Sequence, residues 1–344
     1  MTNKVINRDK YWDILKGITI ILVLIGHSIQ YAVGGDYFDN KVFLDNTLYK
    51  LIYGFHMPLF MFVSGYFFFF SLKKRTMKDV LIKLFSTLYI PILCFSFIDA
   101  ALDGINYSFS GVIDFVIKGI ADSRNTLWFL WAVIGSSLFT SLVKTYIKDA
   151  IWVHFLLIVV LYLLPDVGIS HYFKFMYPFY LLGYYINKEK ILSKINDHLA
   201  PIGVVSFILY ILLVLLFFNH DVYIYFTKTS IITAQDKQYQ LYCDIMRIVI
   251  GLVGVTGFYS ITRSFYQKVT EINAYKYLSD LGMKSMGLYC FQSSLFAIIP
   301  KIDFLNLIYV NIACYFFILT SLSYILTLIS QKISVLNKLL LGGR

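Results

Sequence analysis

Long apolar runs separated by short polar turns repeat along the whole chain. Ten of them approach the roughly 20 residues that a helix needs to cross a hydrocarbon layer. They fall at 12–33, 48–71, 79–102, 126–145, 150–165, 171–187, 200–219, 241–262, 278–299 and 304–330, the fifth and sixth being the shortest. No internal repeat, low-complexity tract or long soluble insert interrupts them. The pattern predicts an all-α polytopic membrane helix bundle, one domain over 1–344, with about ten transmembrane helices and both termini cytoplasmic.

Polar residues that break such runs are the informative ones, because ionisable groups in a membrane usually face a protein interior or a wet cavity. The first run, DILKGITIILVLIGH (13–27), carries three. Lys16 and His27 are eleven residues apart, about three helical turns and roughly 16 Å along the axis, so they leave one face. Asp13 lies one turn before Lys16. The depth arithmetic puts His27 in the outer third of the hydrocarbon. His56 in the second run descends from the outer side to a similar depth, so two imidazoles on consecutive helices are expected to share a cavity. An imidazole there can take a proton from a hydroxyl or accept an acyl group. The plainer reading is a buried histidine satisfied by a backbone carbonyl. Pro58, two residues after His56, is expected to kink its helix. Ser64 and Gly65 allow close helix packing, and the YFFFF run (66–70) is expected to face lipid.

Composition narrows the class. Of 344 residues 58% are hydrophobic and 18% aromatic, and the mean hydropathy of +0.70 excludes an ordinary soluble domain. The net charge of +10 would suit nucleic acid if it formed one patch, but it is dispersed into alternate short loops. With the N-terminus inside, inner segments hold Lys4, Arg8, Lys10, Lys16, the KKRTMK run (73–78), Lys83, Lys144, Lys148, NKEKILSK (187–194), Arg263, Lys268, Lys276, Lys332, Lys338 and Arg344. That is roughly 20 of the 30 basic residues, a positive-inside bias. The first outer loop, from Gly34 to Asn46, is acidic. Cys94, Cys243, Cys290 and Cys314 have neither pairing nor metal-ligand spacing, so no disulfide framework and no metal site is expected. The basic residues before the first run imitate a signal peptide, but the run is too long and too polar within, and reads as a retained span.

At the inner edge, Asp13 and Lys16 form either a helix-surface ion pair or a device for holding something from the cytoplasm. Arg75, Lys78, Lys83 and Lys284 add positive charge on that side and would retain a soluble, phosphate-rich substrate. Near the outer face, Trp128, Arg124 and Arg247, with His56, would suit a sugar. The alternatives are an interfacial belt for Trp128 and an Asp244–Arg247 helix pair. Residues 103–125 include the amphipathic stretch FSGVIDFVIKGIADS, suited to a membrane surface or to capping the bundle. Residues 219–240 form a polar, aromatic loop that can serve as a lid or a connection. His154, His171, His198 and His220 lie near span ends or in loops and receive no role.

The stretches YWDILKGITIILVLIGH (11–27), FHMPLFMFVSGYFF (55–68), LWFLWAV (127–133), YPFYLLGYYI (177–186) and LGMKSMGLYCFQ (281–292), in this order, resemble the membrane-bound acyltransferase-3 family, especially its fucose 4-O-acetylase-like branch. The resemblance implies a bacterial plasma-membrane enzyme that moves an acetyl group from cytoplasmic acetyl-CoA, a co-substrate, to a hydroxyl of an extracytoplasmic glycan or lipid-linked saccharide. It implies no permanently bound cofactor. The family's essential histidine corresponds to His27, and its basic partner to Lys16, where many relatives carry arginine. Lys78 and Lys83, with Arg75 upstream, are nearest to the family's arginine pair before the third span, and in the ninth span Gln292 replaces a histidine often found after the SxxxYxxx pattern. The length leaves no room for the esterase-like domain appended in some relatives. The competing class is a transporter or flippase of lipid-linked saccharides, with His27 and Lys16 as relay or substrate groups. A channel or receptor would need a pore-lining repeat or a ligand domain, and neither is visible.

Overall fold

The computed structural model describes residues 9–33, 42–106, 111–269, 272–296, 298–300 and 307–343. Lys4, Arg8, Arg344, most of the acidic loop 34–46, and Phe109 and Ser110 of the amphipathic stretch lie outside the described residues, as do 297 of the ninth expected span and 304–306 of the tenth. Among the described residues every regular element is helical. In chain order they are α1 (Tyr11–Ala32), α2 (Thr47–Tyr53), α3 (His56–Lys73), α4 (Met77–Leu84), α5 (Ile90–Asn106), α6 (Val112–Asp122), α7 (Trp128–Ile147), α8 (Ile151–Leu163) and α9 (Ser170–Lys188). Then follow α10 (Ile191–Lys194), α11 (Leu199–Phe217), α12 (Ile224–Thr227), α13 (Lys237–Lys268), α14 (Asn273–Met283), α15 (Ser285–Leu295), α16 (Ile308–Lys332) and α17 (Ser334–Leu341).

Seven stretches among the described residues are long and apolar enough to cross a bilayer: Tyr11–Ala32, Thr47–Lys73, Met77–Asp103, Trp128–Ile147, Asn196–Phe217, Lys237–Lys268 and Ile308–Lys332. The other three expected spans are visible as helices with a physical reason for falling short. α8 is apolar but has 13 residues. α9 has 19, and Lys174, Lys188 and a series of tyrosines lower its hydropathy. The ninth run is broken at Lys284 into α14 and α15, of 11 residues each.

Burial sorts the helices. The α1 window is 67% buried and Thr47–Lys73 61%, against 22% for both Asn196–Phe217 and Ile308–Lys332. The run that carries Asp13, Lys16 and His27 is therefore the axis of the bundle, and α11 and α16 form its lipid-facing wall. Two glycine crossings hold the centre together. A Cβ on Gly17 would stand 1.9 Å from the Leu278 carbonyl oxygen, and one on Gly282 1.7 Å from that of Asp13, so α1 and α14 touch through backbone. Gly65 against the Tyr180 carbonyl and Gly183 against that of Phe62, both at 1.9 Å, join α3 and α9 in the same way. Small residues permit such approach, and dispersion between the close backbones replaces the hydrophobic drive that lipid cannot provide.

The break expected from Pro58 is present, but upstream. α2 stops at Tyr53 and α3 starts at His56, so Pro58 occupies the first turn of α3, where its missing N–H is harmless. His56 thus opens a helix at a bend. The YFFFF run divides its faces. Phe67 and Phe70 are exposed, whereas Tyr66 stacks on Trp12 at 3.9 Å, and Phe68 and Phe69 lie against Tyr180 and Tyr184. Two of its five rings face outward, because α1 covers Tyr66 and α9 covers Phe68 and Phe69. α6 leans on α5 through Ser96 Oγ, which donates to the Gly119 carbonyl at 2.5 Å. It exposes Val112, Ile113, Ile117 and Ile120, the apolar face of an interfacial helix.

Candidate functional site

The end of the bundle opposite the N-terminus of α1 opens into a cavity of about 650 Å³. The last turns of α1 bring His27 and Gln30 to it, and the α2–α3 bend brings Tyr53 and His56. The entry to α7 adds Asn125 to Trp128, the start of α9 adds His171 and Tyr172, and α15 adds Tyr289, Gln292 and Ser293. Loop 219–240 closes it with Tyr225, Phe226 and Lys228. The two histidines expected to meet do line one cavity.

Their hydrogen bonds define what each ring offers. His56 Nδ1 stands 2.8 Å from the Ile52 carbonyl, which can only accept, so Nδ1 carries the proton. In the neutral ring the lone pair is then on Nε2. His27 Nδ1 donates to Gln30 Oε1 at 3.3 Å, a long bond that leaves the same tautomer and the same free Nε2. Each imidazole is therefore set up as a proton acceptor at its outer nitrogen. Phe296 packs on the His27 ring at 5.1 Å and Tyr53 on the His56 ring at 4.7 Å, fixing both orientations. Aromatic panels complete the wall. Trp128 stacks on Tyr172 at 4.4 Å, and Tyr225 bridges Tyr172 and Tyr53. Trp128 is placed there because α7 begins with Leu127 at φ +52 and ψ +49 and has no side-chain cap. The Tyr289 hydroxyl accepts instead from the Phe129 N–H at 3.3 Å.

Asp13, Lys16 and Lys284 lie at the other end. Lys16 Nζ is 2.8 Å from Asp13 Oδ1, and Lys284 pairs with Asp280, whose second oxygen accepts from the Tyr324 hydroxyl at 2.7 Å. The Gly17 and Gly282 contacts set these two pairs side by side. Arg75, Lys78 and Lys83 are exposed nearby in the chain, after the end of α3, and Arg75 bonds back to Ser71. The structure thus separates the expected residues into a basic end and an imidazole end, joined by α1.

Neither Arg124 nor Arg247 lines the large cavity, but Arg247 lines a small adjoining space together with Trp128 and His56. Arg124 is exposed, its Nε bonded to the Ala121 carbonyl. Arg247 is buried and works on loop 219–240. It pairs with Asp244 at 3.2 Å and donates to the carbonyls of Asp221 and Lys228 and to Thr227 Oγ1. A second buried pair does the same from α9. Lys174 Nζ is 2.8 Å from Asp166 Oδ1, and Asp166 accepts from the N–H groups of Thr229 and Ser230, both at 2.9 Å. Loop 219–240 is a pinned wall rather than a free lid. Burial pushes the Asp166 carboxyl up, but the Lys174 ammonium and the Thr229 donors outweigh it and hold it below the usual carboxylate range. The stability it lends is complete above that range and is lost only as pH falls through the lowered value. Replacing Arg247 with Met leaves Asp244 buried without its cation, which costs about 3 kcal/mol or more. Faster proteolysis within 219–240 and a lower melting temperature are the expected readouts.

The pinning has a further consequence. Lys228 is held at φ +53 and ψ −143, a conformation that glycine adopts freely and a lysine only at about 1–3 kcal/mol. Its carbonyl is fixed by Arg247 and, at 3.3 Å, by Gln240 Nε2. Lys228, His171 and Gln30 carried no signal in the sequence, and Gln292 carried only its contrast with related chains. Gln292 Oε1 and His171 Nδ1 are buried with no hydrogen-bond partner among the described residues.

Residues 9–330 match the acyltransferase domain of the acyltransferase-3 family. Nodulation protein NolL of Sinorhizobium fredii is 27% identical over 303 residues, 87% of this chain and 81% of that protein. Nodulation protein NolL of Mesorhizobium japonicum is 29% identical over 180 residues, 52% of this chain and 48% of that protein. No solved structure matches. With nearly its whole length covered and its helices apolar enough to cross a bilayer several times, the chain belongs to the acyltransferase-3 family of multi-pass membrane acyltransferases.

Proposed function

We propose that the protein is an O-acetyltransferase of the bacterial plasma membrane, moving the acetyl group of cytoplasmic acetyl-CoA to a hydroxyl of a cell-surface or lipid-linked sugar. The observation that carries this reading is the pair of imidazoles, each with a free Nε2, facing one aromatic-walled cavity at the far end of α1 from Lys16. With both termini cytoplasmic, the basic end (Lys16, Arg75, Lys78, Lys83, Lys284) attracts the phosphates of the coenzyme, while its pantetheine arm carries the thioester along α1. Asp13 orients Lys16. The sugar enters the cavity from outside, with Trp128 and His56 against it.

Two routes fit. In the direct one, His27 Nε2 takes the hydroxyl proton as the sugar oxygen attacks the thioester carbon. The carbon–sulfur bond breaks, and the proton passes to the departing thiolate. In the other, His27 Nε2 attacks the thioester carbon first, the carbon–sulfur bond breaks, and the departing thiolate leaves as the thiol with the proton that the acetylated ring sheds from Nδ1. The sugar hydroxyl then takes the acetyl group and gives its proton to an imidazole. His56 is the second proton acceptor in either route. Exclusion of bulk water by the bundle protects the thioester from hydrolysis.

Membranes bearing the protein, given acetyl-labelled coenzyme and cell-envelope glycan, are expected to transfer label to the glycan. Glycan that crosses the membrane chemically unchanged would instead support a transporter. A His56→Asn variant keeps a polar group without the basic Nε2. It is expected to lose about 10²-fold in turnover with little change in acceptor KM.

A further inference from the structure

Lys228 is the only residue shared by the linings described for the acceptor cavity and for a second, smaller one of about 290 Å³. That second space is lined by Thr227, Ser230, Thr233 and the Gln240 amide, but also by the Asp166 carboxylate, held ionised by Lys174 and Thr229, so an anion is received on the large-cavity side of Lys228. The large cavity is lined by His27, His56, His171 and Lys228, with no carboxylate among the described lining residues. The nearest acidic partners, Asp166 and Asp244, are already paired with Lys174 and Arg247. Lys148 and Lys190 share its positive φ but lie in the left-handed helical region, whereas Lys228 at ψ −143 occupies a region that glycine alone enters without strain. Strain of this kind is retained where the side chain has a task at the site.

We propose that Lys228 anchors a phosphate group carried by the acceptor, on the side of the large cavity, where no described lining residue is a carboxylate. This rests on the reading of the large cavity as the acceptor site. Lysine is a compact point charge that suits a tetrahedral phosphate, whereas a planar carboxylate is better met by the arginine fork. The one nearby buried arginine, Arg247, has its fork committed to backbone carbonyls and Thr227. The buried His171 Nδ1, without a partner in the same wall, is a second group available to an acceptor's polar atoms.

The test uses the purified full chain in detergent and measures binding of labelled farnesyl diphosphate, with farnesol as the uncharged control and uridine diphosphate as competitor. The expected result is a preference for the diphosphate over farnesol that is kept in Lys228→Arg. In Lys228→Gly, which relieves the backbone and retains the melting temperature, it weakens about tenfold or more. Competition by uridine diphosphate that is lost in Lys228→Gly would mean that the phosphate of a nucleotide sugar suffices. Its absence would assign a lipid-borne phosphate, and either supports the proposal. Equal binding of farnesol and farnesyl diphosphate, or an undiminished preference in Lys228→Gly, would overturn it. Because binding is read without turnover, a chain that fails to transfer acetyl yet shows the Lys228-dependent preference would count against the acetyl transfer alone.

Discussion

Replacing His27 with alanine is expected to remove acyl transfer, lowering turnover by about 10³-fold or more while the protein still accumulates in the membrane at its normal level. The ring is only partly buried, and its hydrogen bond to Gln30 is long, so its loss leaves the α1 packing largely intact. Val23, Leu24 and Ile29, which hold α1 in the core, are untouched. The functional loss is large because His27 brings the nearest basic nitrogen on the axis helix to the cavity. His56 is fixed on a different helix by its own carbonyl bond. The two chemical routes separate in the same experiment. A label that stays on the wild-type protein when the acceptor is omitted, is released by hydroxylamine and is absent from His27→Ala marks the acetyl-imidazole. Turnover in His27→Ala within tenfold of wild type would remove His27 from both routes.

The placement of His27 and His56 was legible because depth in a membrane is counted in residues: an imidazole fifteen positions into the first expected span and another about eight positions into the next, running the opposite way, can be levelled by arithmetic. The separation of a basic end from an imidazole end followed from the same count. Other parts were not legible, each for a physical reason. Arg247 looks in sequence like half of a helix-surface pair with Asp244, and that pair exists. Its other partners, the carbonyls of Asp221 and Lys228, are backbone groups whose approach no side-chain pattern records. Asp166, held by Lys174, reaches Thr229 and Ser230 across more than sixty residues of chain. A lysine gives no hint that its φ will be positive. His171 was indistinguishable from any histidine at a span end until α9 turned it towards Trp128 and Gln292. The ten-span expectation likewise followed hydropathy alone. Hydropathy does not show that the ninth run is broken at Lys284, or that α9 trades apolar residues for the tyrosines and lysines of the core.

Placing a methyl group at Gly282 is expected to be the most damaging small change in the chain. A Cβ there would lie 1.7 Å from the Asp13 carbonyl oxygen and 2.9 Å from the Gly17 backbone nitrogen. Both are main-chain atoms of the axis helix, so no side chain can rotate away, and α14 must move off α1. The destabilisation belongs to the exceptional class, about 4 kcal/mol or more. It carries the Lys284–Asp280 pair away from Asp13 and Lys16, so donor affinity should fall in whatever protein remains folded. Thermal unfolding followed by fluorescence-detected gel filtration measures the first effect. Gly111→Ala is the matched control, since no atom lies within 4 Å of its Cβ position, and it should stay within about 0.5 kcal/mol of wild type. Gly17→Ala strikes the Leu278 carbonyl at the same crossing. Once α14 has been displaced by either methyl the second meets less resistance, so the Gly17→Ala, Gly282→Ala double variant should lose less than the sum of the two. Gly65→Ala acts at the separate α3–α9 crossing and should add in full to Gly282→Ala. If the Gly17 and Gly282 effects were additive and the Gly65 and Gly282 effects were not, the two crossings could not be the independent clamps that hold α1 and α3 in place around the cavity.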